Sequence, residues 1–250
     1  MPAADWVVIT GASSGIGRAL ATLMARDYPV LAIARREQPL IELESTSENI
    51  RACRADVASE EGREAIVQAI DGAKVRYLVH NAGVLSPIGP LMAQSAADIR
   101  EALAINVEAP IAITRALLGQ MAVGGRILHI SSGAAHNAYP GWGAYCMSKA
   151  ALFMAYEILR QELDEQMVAI GSLRPGVVDT PMQALIREQS AADFPAVEQF
   201  RALKANDALS SAQDVARFIR AVLERTTHAE FSADEWDIRA HWSRVLGDSA

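Results

Sequence analysis

The sequence predicts an α/β fold in which one doubly wound parallel β-sheet carries helices on both faces, within a single domain over residues 1–250. Short apolar runs alternate with helix-like stretches along most of the chain, which is the pattern of parallel strands joined by crossover helices. Several runs are apolar at every position, as is typical of strands covered on both faces. A glycine-rich segment, residues 10–17, separates the first run from the first helix. Such a turn is typical of the first connection in a doubly wound sheet.

In the first half of the chain, each predicted strand ends at a polar or glycine-containing turn. A helix is predicted to start after Ser59, because Glu60 and Glu61 follow it and acids are favoured in a first helical turn. The predicted strands are residues 6–9, 29–34, 50–57 and 75–80, and the first predicted helix is 18–26.

The second half repeats the alternation. The carboxyl ends of parallel strands meet at one edge of a sheet, so the polar residues that follow the strands are expected to line one crevice. The predicted elements are one long helix over residues 95–121 interrupted by Pro110, a strand over 126–130, a helix from about 143 to 165 and a strand over 168–173.

Residues 181–211 break the alternation, because they are mixed in polarity and contain Pro195. We predict a helical insertion beside the substrate, and the sequence leaves open whether it is a mobile lid or a fixed cover of the sheet edge. An amphipathic helix is predicted over residues 214–223, and the tail beyond His228 shows no strand pattern.

Composition and charge exclude several classes of protein. Hydrophobic residues make up 51% of the chain and charged residues 21%, which favours a folded core over disorder. The net charge of -7 and the lack of a Lys or Arg run argue against nucleic-acid binding. We expect no apolar stretch of membrane-spanning length and no signal peptide, and therefore a cytoplasmic protein without membrane contact.

Cysteine and histidine residues predict neither a disulfide nor a metal site. Cys53 and Cys146 are expected to be reduced, and to be small buried hydrophobic residues. The histidines lack ligand spacing, and His80 and His129 lie in apolar strand contexts, so both are expected to pack in the core.

The glycine-rich segment predicts a phosphate-binding turn. Gly11 permits the turn, Gly15 lets the backbone approach a pyrophosphate, and Gly17 allows close packing of helix on strand. The helix start then presents free N–H groups to the anion. The spacing Gly-x-x-x-Gly-x-Gly differs from the commoner dinucleotide fingerprint, and an ordinary strand-to-helix turn is the alternative interpretation.

Four polar residues are the candidate catalytic group. Tyr145 and Lys149 are four positions apart on one predicted helix, so the ammonium is expected to lower the pKa of the phenol and make Tyr145 a proton donor or acceptor. Ser132 follows a strand, and Asn106 lies within a predicted helix, where Asn is a poor helix former. Each residue also has an alternative interpretation when taken singly. Tyr145 could be an interface aromatic residue and Lys149 a solvated helix charge. Ser132 could be a helix cap and Asn106 a buried amide whose hydrogen bonds are satisfied.

With these residues in this order, nearly the whole chain resembles the short-chain dehydrogenase/reductase family, which implies a Rossmann-type fold and a nicotinamide cofactor. The resemblance implies that Ser132 polarises a substrate carbonyl and Tyr145 supplies its proton. It implies that Lys149 binds the nicotinamide ribose and that Asn106 holds a water of the proton relay. The cofactor-binding residues that we predict are Gly11, Ser13, Ser14, Gly15, Ile16, Gly17, Arg35, Arg36, Asp56, Val57, Asn81, Ala82, Gly83, Tyr145, Lys149, Pro175, Gly176, Val178 and Thr180.

Within that group, the resemblance places Asp56 and Val57 beside the adenine, residues 81–83 on the adenosine side and Thr180 at the carboxamide. The second strand ends in Arg35 and Arg36 without a preceding carboxylate, and a guanidinium there accommodates a 2′-phosphate. We therefore predict NADP(H), with Arg35 as the main contact and Arg36 as a secondary contact or a solvated residue.

Residues 175–183, together with 186–188 and the later Phe200-x-x-Leu203-Lys204, look like the sepiapterin reductase and benzil reductase branch. The expected function is an NADPH-dependent carbonyl reductase of a small ketone, diketone or aldehyde. Alternatives are an NAD(P)-dependent alcohol dehydrogenase, a 3-oxoacyl reductase and a non-catalytic NADP-sensing protein. By family resemblance, the helices holding Asn106 and Tyr145 form subunit contacts, so a homo-oligomer is expected, as a dimer or possibly a tetramer.

Overall fold

The computed structural model describes residues 5–163 and 168–247. Seven parallel strands form one sheet in the order β3-β2-β1-β4-β5-β6-β7, so the chain winds outward in both directions from the β1–β4 pair. This order confirms the predicted doubly wound, Rossmann-type sheet. The strands are β1 (Trp6–Thr10), β2 (Val30–Ala34), β3 (Ile50–Arg54), β4 (Val75–His80), β5 (Met121–Ile130), β6 (Ala169–Arg174) and β7 (Trp236–Asp237).

Helices cover both faces of the sheet. The helices are α1 (Gly15–Met24), α2 (Glu37–Glu44), α3 (Glu60–Ile70), α4 (Ala96–Leu103), α5 (Ala109–Leu117), α6 (Gly143–Glu162), α7 (Pro181–Arg187), α8 (Val197–Ala205), α9 (Ala212–Arg225), α10 (His228–Ala233) and α11 (Ile238–Leu246). Alternate residues of β1 point to opposite faces, so Val7 belongs to the core beneath α1 and α9, and Val8 belongs to the core beneath α3, α5 and α6.

The long helix predicted over residues 95–121 is divided. A π-helical turn, Ala104–Glu108, joins α4 to α5, and a short 3-10 turn follows α5. Strand β5 then begins at Met121, five residues earlier than the 126 predicted, so the predicted start of this strand is wrong, whereas the helical run ends at Gln120, next to its predicted end. Gly124 and Gly125 resemble a turn in the sequence, but the positive φ of Gly124 (72°) bends the strand without ending it.

The run of helix over residues 96–120 corrects a second expectation. By length and composition alone, this run is long and apolar enough to cross a membrane. The sequence was expected to contain no stretch of this kind. Ile105, Ile113 and Leu117 of this run pack in the core between the sheet and the helices, and Asn106 is buried with them. The run is therefore the core helix of a folded domain.

The C-terminal tail contains a strand that the sequence pattern does not show. Trp236 and Asp237 pair with Leu173 and Arg174 of β6, and two residues are too few to produce a periodic signal. Helix α6 ends at Glu162, and the predicted end near residue 165 lies outside the described residues. Strand β3 ends at Arg54, so Asp56 stands in the loop beyond it.

Candidate active site

The glycine-rich turn forms a cradle with little room for side chains. Gly11 and Gly15 have positive φ values of 69° and 53°, which favour glycine. A Cβ on Gly11 would lie 2.8 Å from the Cα of Ala82, and a Cβ on Gly15 would lie 3.0 Å from Cγ2 of Thr180. A Cβ on Gly17 would lie 2.5 Å from the carbonyl oxygen of Gly11, which confines this position to glycine.

Thr10 and Asn81 fasten the loop after β4 to this turn. The Thr10 hydroxyl accepts hydrogen bonds from the backbone N–H groups of Asn81 and Ala82, both at 3.0 Å. The Asn81 side chain donates to the carbonyl oxygens of Thr10 (3.0 Å) and Gly11 (3.2 Å). Thr10 was not among the predicted site residues. A hydroxyl at the end of an otherwise apolar strand is nevertheless a sequence signal that could have indicated its role at the site.

A cleft of about 560 Å³ runs from the glycine-rich turn to Tyr145 along the carboxyl ends of the strands. This volume lies within the usual range for ligand sites. Three of the predicted cofactor residues do not line it, namely Gly17, Gly176 and Val178. The predicted residues that do line it are Gly11, Ser13, Ser14, Gly15, Ile16, Arg35, Arg36, Asp56, Val57, Asn81, Ala82, Gly83, Tyr145, Lys149, Pro175 and Thr180.

Two arginines border the cleft at the end of β2. Arg36 donates to the hydroxyls of Ser13 (3.0 Å) and Ser14 (2.8 Å), so it is held against the glycine-rich turn. Arg35 lies 4.0 Å from the carboxylate of Asp56, and its side chain is 54% exposed. Both guanidinium groups are therefore placed beside the same end of the cleft.

At the opposite end of the cleft, the Ser132 hydroxyl lies close enough to the Tyr145 phenol to affect its pKa. Ser132 also accepts from the backbone N–H of Ala134 at 3.1 Å, which orients its hydroxyl. Lys149 donates from Nζ to the carbonyl oxygen of Ile130 at 2.7 Å, and Nζ lies 5.8 Å from the centre of the Tyr145 ring. Two hydroxyls and one amine therefore lie close together at this end of the cleft.

The electrostatics of this group correct one expectation. Burial raises the pKa of the Tyr145 phenol above its ordinary value, although the neighbouring Ser132 hydroxyl acts in the opposite direction. Burial also lowers the pKa of Lys149 to about 8, because the ammonium is poorly solvated. The prediction that the pKa of Tyr145 is lowered toward neutrality is wrong for the protein alone, because burial of the phenol raises it.

Asn106 is buried, and its side chain links three parts of the site. Its Oδ1 accepts from the N–H of Val84, and its Nδ2 donates to the carbonyl of Val84, both at 2.8 Å. The same Nδ2 donates to Ser148 Oγ at 2.9 Å, and Ser148 donates to the carbonyl of Tyr145. The side chain thereby ties the loop after β4 to α6, and Ser148 was missed because an isolated Ser in a helix carries no signal. The relay water remains a prediction.

An aromatic cluster surrounds Tyr145. Trp142, Phe194 and Phe200 are each buried, and they pack with Tyr145 in a third core that lies away from the sheet. Trp142 and Phe194 were not among the residues selected from the sequence, and Phe200 was named only for its family resemblance. Trp142 stands three positions before Tyr145 and thus faces it from the helix start.

Cysteine and histidine residues behave in part as expected. Cys53 is buried, but Cys146 is half-buried at the first turn of α6, so the expectation of burial is wrong there. His80 and His129 are buried and lie edge to face with ring centres 5.3 Å apart, which confirms that they pack in the core. Among the described residues, no group of three or more His, Cys, Asp or Glu is arranged to hold a metal.

Comparison with known proteins agrees with this geometry. Residues 5–191 match the family model described as short chain dehydrogenase. A benzil reductase ((S)-benzoin forming) of Bacillus cereus is 36% identical over 233 residues, covering 88% of this chain and 94% of that protein. The sepiapterin reductase of Mus musculus is 29% identical over 242 residues, covering 88% and 92%.

The fold is also found among solved structures. The crystal structure of the KRED1-Pglu enzyme superimposes with a TM-score of 0.83 at 31% identity, covering 91% of this chain and 98% of that one. The family match, the relatives and the shared sheet agree with the site built from Ser132, Tyr145 and Lys149. The chain belongs to the short-chain dehydrogenase family and is an oxidoreductase.

Proposed function

We propose that this protein is an NADPH-dependent carbonyl reductase of a small ketone, diketone or aldehyde. The observation that carries the proposal is that the Ser132 hydroxyl lies beside Tyr145 and the buried Lys149, and that Tyr145 and Lys149 line one end of a cleft whose other end is the glycine-rich turn. A hydroxyl pair of this kind can hold one carbonyl oxygen and give it a proton.

The residues of this chain fit a nicotinamide dinucleotide. The cradle at Gly11 and Gly15 leaves backbone exposed where a Cβ would collide with Ala82 or Thr180. Helix α1 has no acid in its first turn, and its N-cap Ser14 makes no side-chain capping bond. Its first N–H groups can therefore donate hydrogen bonds to an anion. By family resemblance, Thr180 faces the carboxamide and Lys149 the ribose.

A bound reduced nicotinamide supplies the hydride for such a reduction. Ser132 and Tyr145 hold the substrate oxygen between their hydroxyls, and Tyr145 donates the proton as negative charge develops there. The raised pKa of Tyr145 keeps the phenol protonated near neutral pH, so it is ready to act as an acid. A protonated phenol is the form that carbonyl reduction requires.

Preference for NADPH is supported by Arg35 and Arg36. Nη2 of Arg36 is engaged by Ser13 and Ser14, whereas Arg35 faces Asp56 at the longer distance of 4.0 Å. Arg35 is therefore the more available partner for a 2′-phosphate, and Arg36 supports the turn beside it.

The substrate class is supported by the carbonyl end of the cleft and by the relatives. Leu85, Met182 and Leu185 line this end together with Tyr145, so it favours an apolar substrate. The relatives are named for benzil and sepiapterin, which suggests a carbonyl beside a second carbonyl or on a ring system. The net charge of -7 does not favour a 3-oxoacyl group on an acidic carrier.

A homodimer is the proposed assembly, with a cytoplasmic location. Met147, Met154 and Ile158 form an exposed stripe on α6, with 42%, 57% and 48% of their surface accessible, and Ile111 on α5 is 41% exposed. Exposed apolar stripes mark interaction surfaces. The two free cysteines fit a reducing compartment. Light scattering tests the assembly, and a monomer at micromolar concentration would contradict it.

The test of the activity is NADPH oxidation in the presence of a carbonyl panel that contains benzil and other vicinal diketones, simple ketones and aldehydes. We expect turnover with the diketones and a lower rate with NADH. Binding of NADPH without turnover of any panel member would instead support the non-catalytic NADP-sensing alternative.

A further inference from the structure

One aromatic side chain touches both the catalytic tyrosine and the 181–211 insertion. The indole of Trp142 stacks on the ring of Phe194, with centres 4.4 Å apart and planes 2° from parallel. The same indole meets the ring of Tyr145 edge-on at 5.8 Å and 84°. Trp142 is 5% exposed and Phe194 is fully buried, so water does not separate these rings. Trp142 is thus a direct bridge between the insertion and the proton donor.

The insertion is attached to the domain at its base by main-chain hydrogen bonds. Ser210 donates to the carbonyl of Val177, and Asp179 donates to the carbonyl of Ser210, both at 3.0 Å. An ion pair of 2.8 Å between Lys204 and Asp179 reinforces the base. These contacts hold the two ends of the insertion together whether or not its far end is docked.

The far end of the insertion, residues 190–197, is the insertion tip, and it docks against the start of α6. Gly141 has a φ of 92°, and a Cβ there would lie 2.2 Å from the carbonyl oxygen of Asp193. Phe194 follows Asp193 and also meets Phe200 of α8, at 5.4 Å between ring centres. The insertion tip therefore approaches the backbone of the α6 start more closely than any side chain at position 141 would allow.

Trp142 is fixed to the catalytic helix as well as to the insertion. Its carbonyl accepts from the N–H of Cys146 at 2.8 Å, which makes it part of the first turn of α6. The Tyr145 ring is bordered by the Trp142 indole and by Lys149. If the indole moves, the tyrosine ring gains freedom, and its hydroxyl no longer stays beside Ser132.

We propose that Trp142 is a positioning residue through which docking of the insertion tip holds the Tyr145 ring against Ser132. The inference rests on the proposed reductase function and adds to it a link between the insertion and proton donation. Trp142 does not line the cofactor cleft. Its loss therefore affects the rate of the chemical step and leaves NADPH affinity unchanged.

The test compares Trp142→Leu, Phe194→Ala, their double variant and Trp142→Phe. We expect Trp142→Leu and Phe194→Ala each to lower kcat by about ten- to a hundredfold, because small misplacement of a catalytic group has effects of this size. The substrate KM and the NADPH Kd are expected to stay within about threefold, since the variants remove no proposed substrate or cofactor contact. Trp142→Phe retains a stacking ring and is expected to restore most of the rate.

The double variant separates coupling from independent damage. Because both residues act through one contact, the double variant is expected to be no slower than the slower single variant. Phe218→Leu is the matched control, because Phe218 is as buried as Phe194 but belongs to the core beneath α9. It should lower the melting temperature and leave kcat unchanged. Gly141→Ala should reproduce the loss in Phe194→Ala, since its Cβ displaces the insertion tip.

Hydrogen exchange provides a readout that does not depend on turnover. In Phe194→Ala, amides of residues 141–146 should exchange faster together with those of 190–197, and in Phe218→Leu they should not. Unchanged exchange over 141–146, additive losses in the double variant, or a raised KM with normal kcat would each overturn the proposal. The last result would make Trp142 a wall of the substrate site. If the wild-type protein reduces no carbonyl, the reductase function fails, and the exchange experiment still decides whether docking reaches α6.

Discussion

The cofactor end and the carbonyl end of the cleft differ in how much water reaches their charged groups. At the cofactor end, the side chains of Arg35 and Asp56 are 54% and 43% exposed, and the cradle is made of backbone. At the carbonyl end, Tyr145 and Lys149 are 7% and 5% exposed. Exposed charges are weakly perturbed, whereas buried ones change their pKa values. The first end is therefore suited to binding and the second to proton transfer.

Removal of the proposed proton donor, Tyr145, tests the carbonyl end with the largest expected effect. Tyr145→Phe should lower kcat by about 10²- to 10⁴-fold, the usual contribution of general acid catalysis, with little change in NADPH affinity. Steady-state kinetics and a cofactor titration measure the two quantities. The matched control is Tyr156→Phe on the same helix, whose hydroxyl donates to the carbonyl of Ser232. A Tyr145→Phe enzyme with near-normal turnover would rule out the mechanism.

Removal of a guanidinium tests the cofactor end. Arg35→Ala should lower the kcat/KM ratio for NADPH over NADH by about 10- to 100-fold, as expected for loss of one charge-assisted phosphate contact worth 1.5–3 kcal/mol. Arg36→Ala should have a smaller effect. Arg54→Ala is the control, because Arg54 lies at the end of the neighbouring strand and pairs with Glu37. Equal use of both cofactors by the wild-type protein would refute the NADPH assignment.

Lys149 tests the cost of burial at the carbonyl end. The folded pKa is about 8, and the unfolded chain keeps the ordinary value of 10.5. Between these values the unfolded state binds more protons, so wild-type stability rises with pH. Lys149→Met should abolish about 2.5 kcal/mol of this rise between roughly pH 7 and pH 10 in the free energy of unfolding. Urea unfolding at both pH values measures it, and parallel pH profiles of the two proteins would contradict it.

His129 extends the same comparison into the core behind the carbonyl end, with the smallest expected effect. Burial lowers its pKa to about 3, with the charge of Lys149 acting in the same direction. Below the unfolded value of 6.5, the unfolded state binds more protons, so stability falls with acid. In the wild-type protein, His129 should lower the free energy of unfolding by slightly under 2 kcal/mol between roughly pH 7 and pH 5, and His129→Leu should remove this decrease.

The control for this prediction is the same pair of proteins at about pH 8, where the histidine is neutral in both states and the difference reports packing alone. His80 remains in both proteins. Its pKa is also lowered by burial, and His129 adds to that effect, so the variant should retain part of the acid sensitivity.

Local sequence patterns were sufficient for the parts of the site that depend on neighbouring residues. The turn at Gly11, Gly15 and Gly17 needs positive φ or close packing, and these requirements act within a few residues. The spacing of Tyr145 and Lys149 on one helix face follows from helix geometry. The strand order follows from alternation of strands and helices, which leaves few topologies.

Other features depend on residues that are far apart in the chain. The division of the 95–121 helix by a π-helical turn depends on Asn106 bonding to Val84 and Ser148. The raised pKa of Tyr145 depends on burial, which no local pattern specifies. The strand at Trp236 exists because β6 provides its partner.

The sequence by itself determined the sheet and the glycine-rich turn and supplied the candidate reacting groups, because periodicity, φ preference and side-chain chemistry are properties of short segments. The tertiary structure decided how dry those groups are and what holds them in place. Solvation and ring stacking arise when distant segments meet, as Phe194 meets Trp142. This is why a candidate proton donor group could be proposed from the sequence, whereas the direction of the Tyr145 pKa shift could not be predicted.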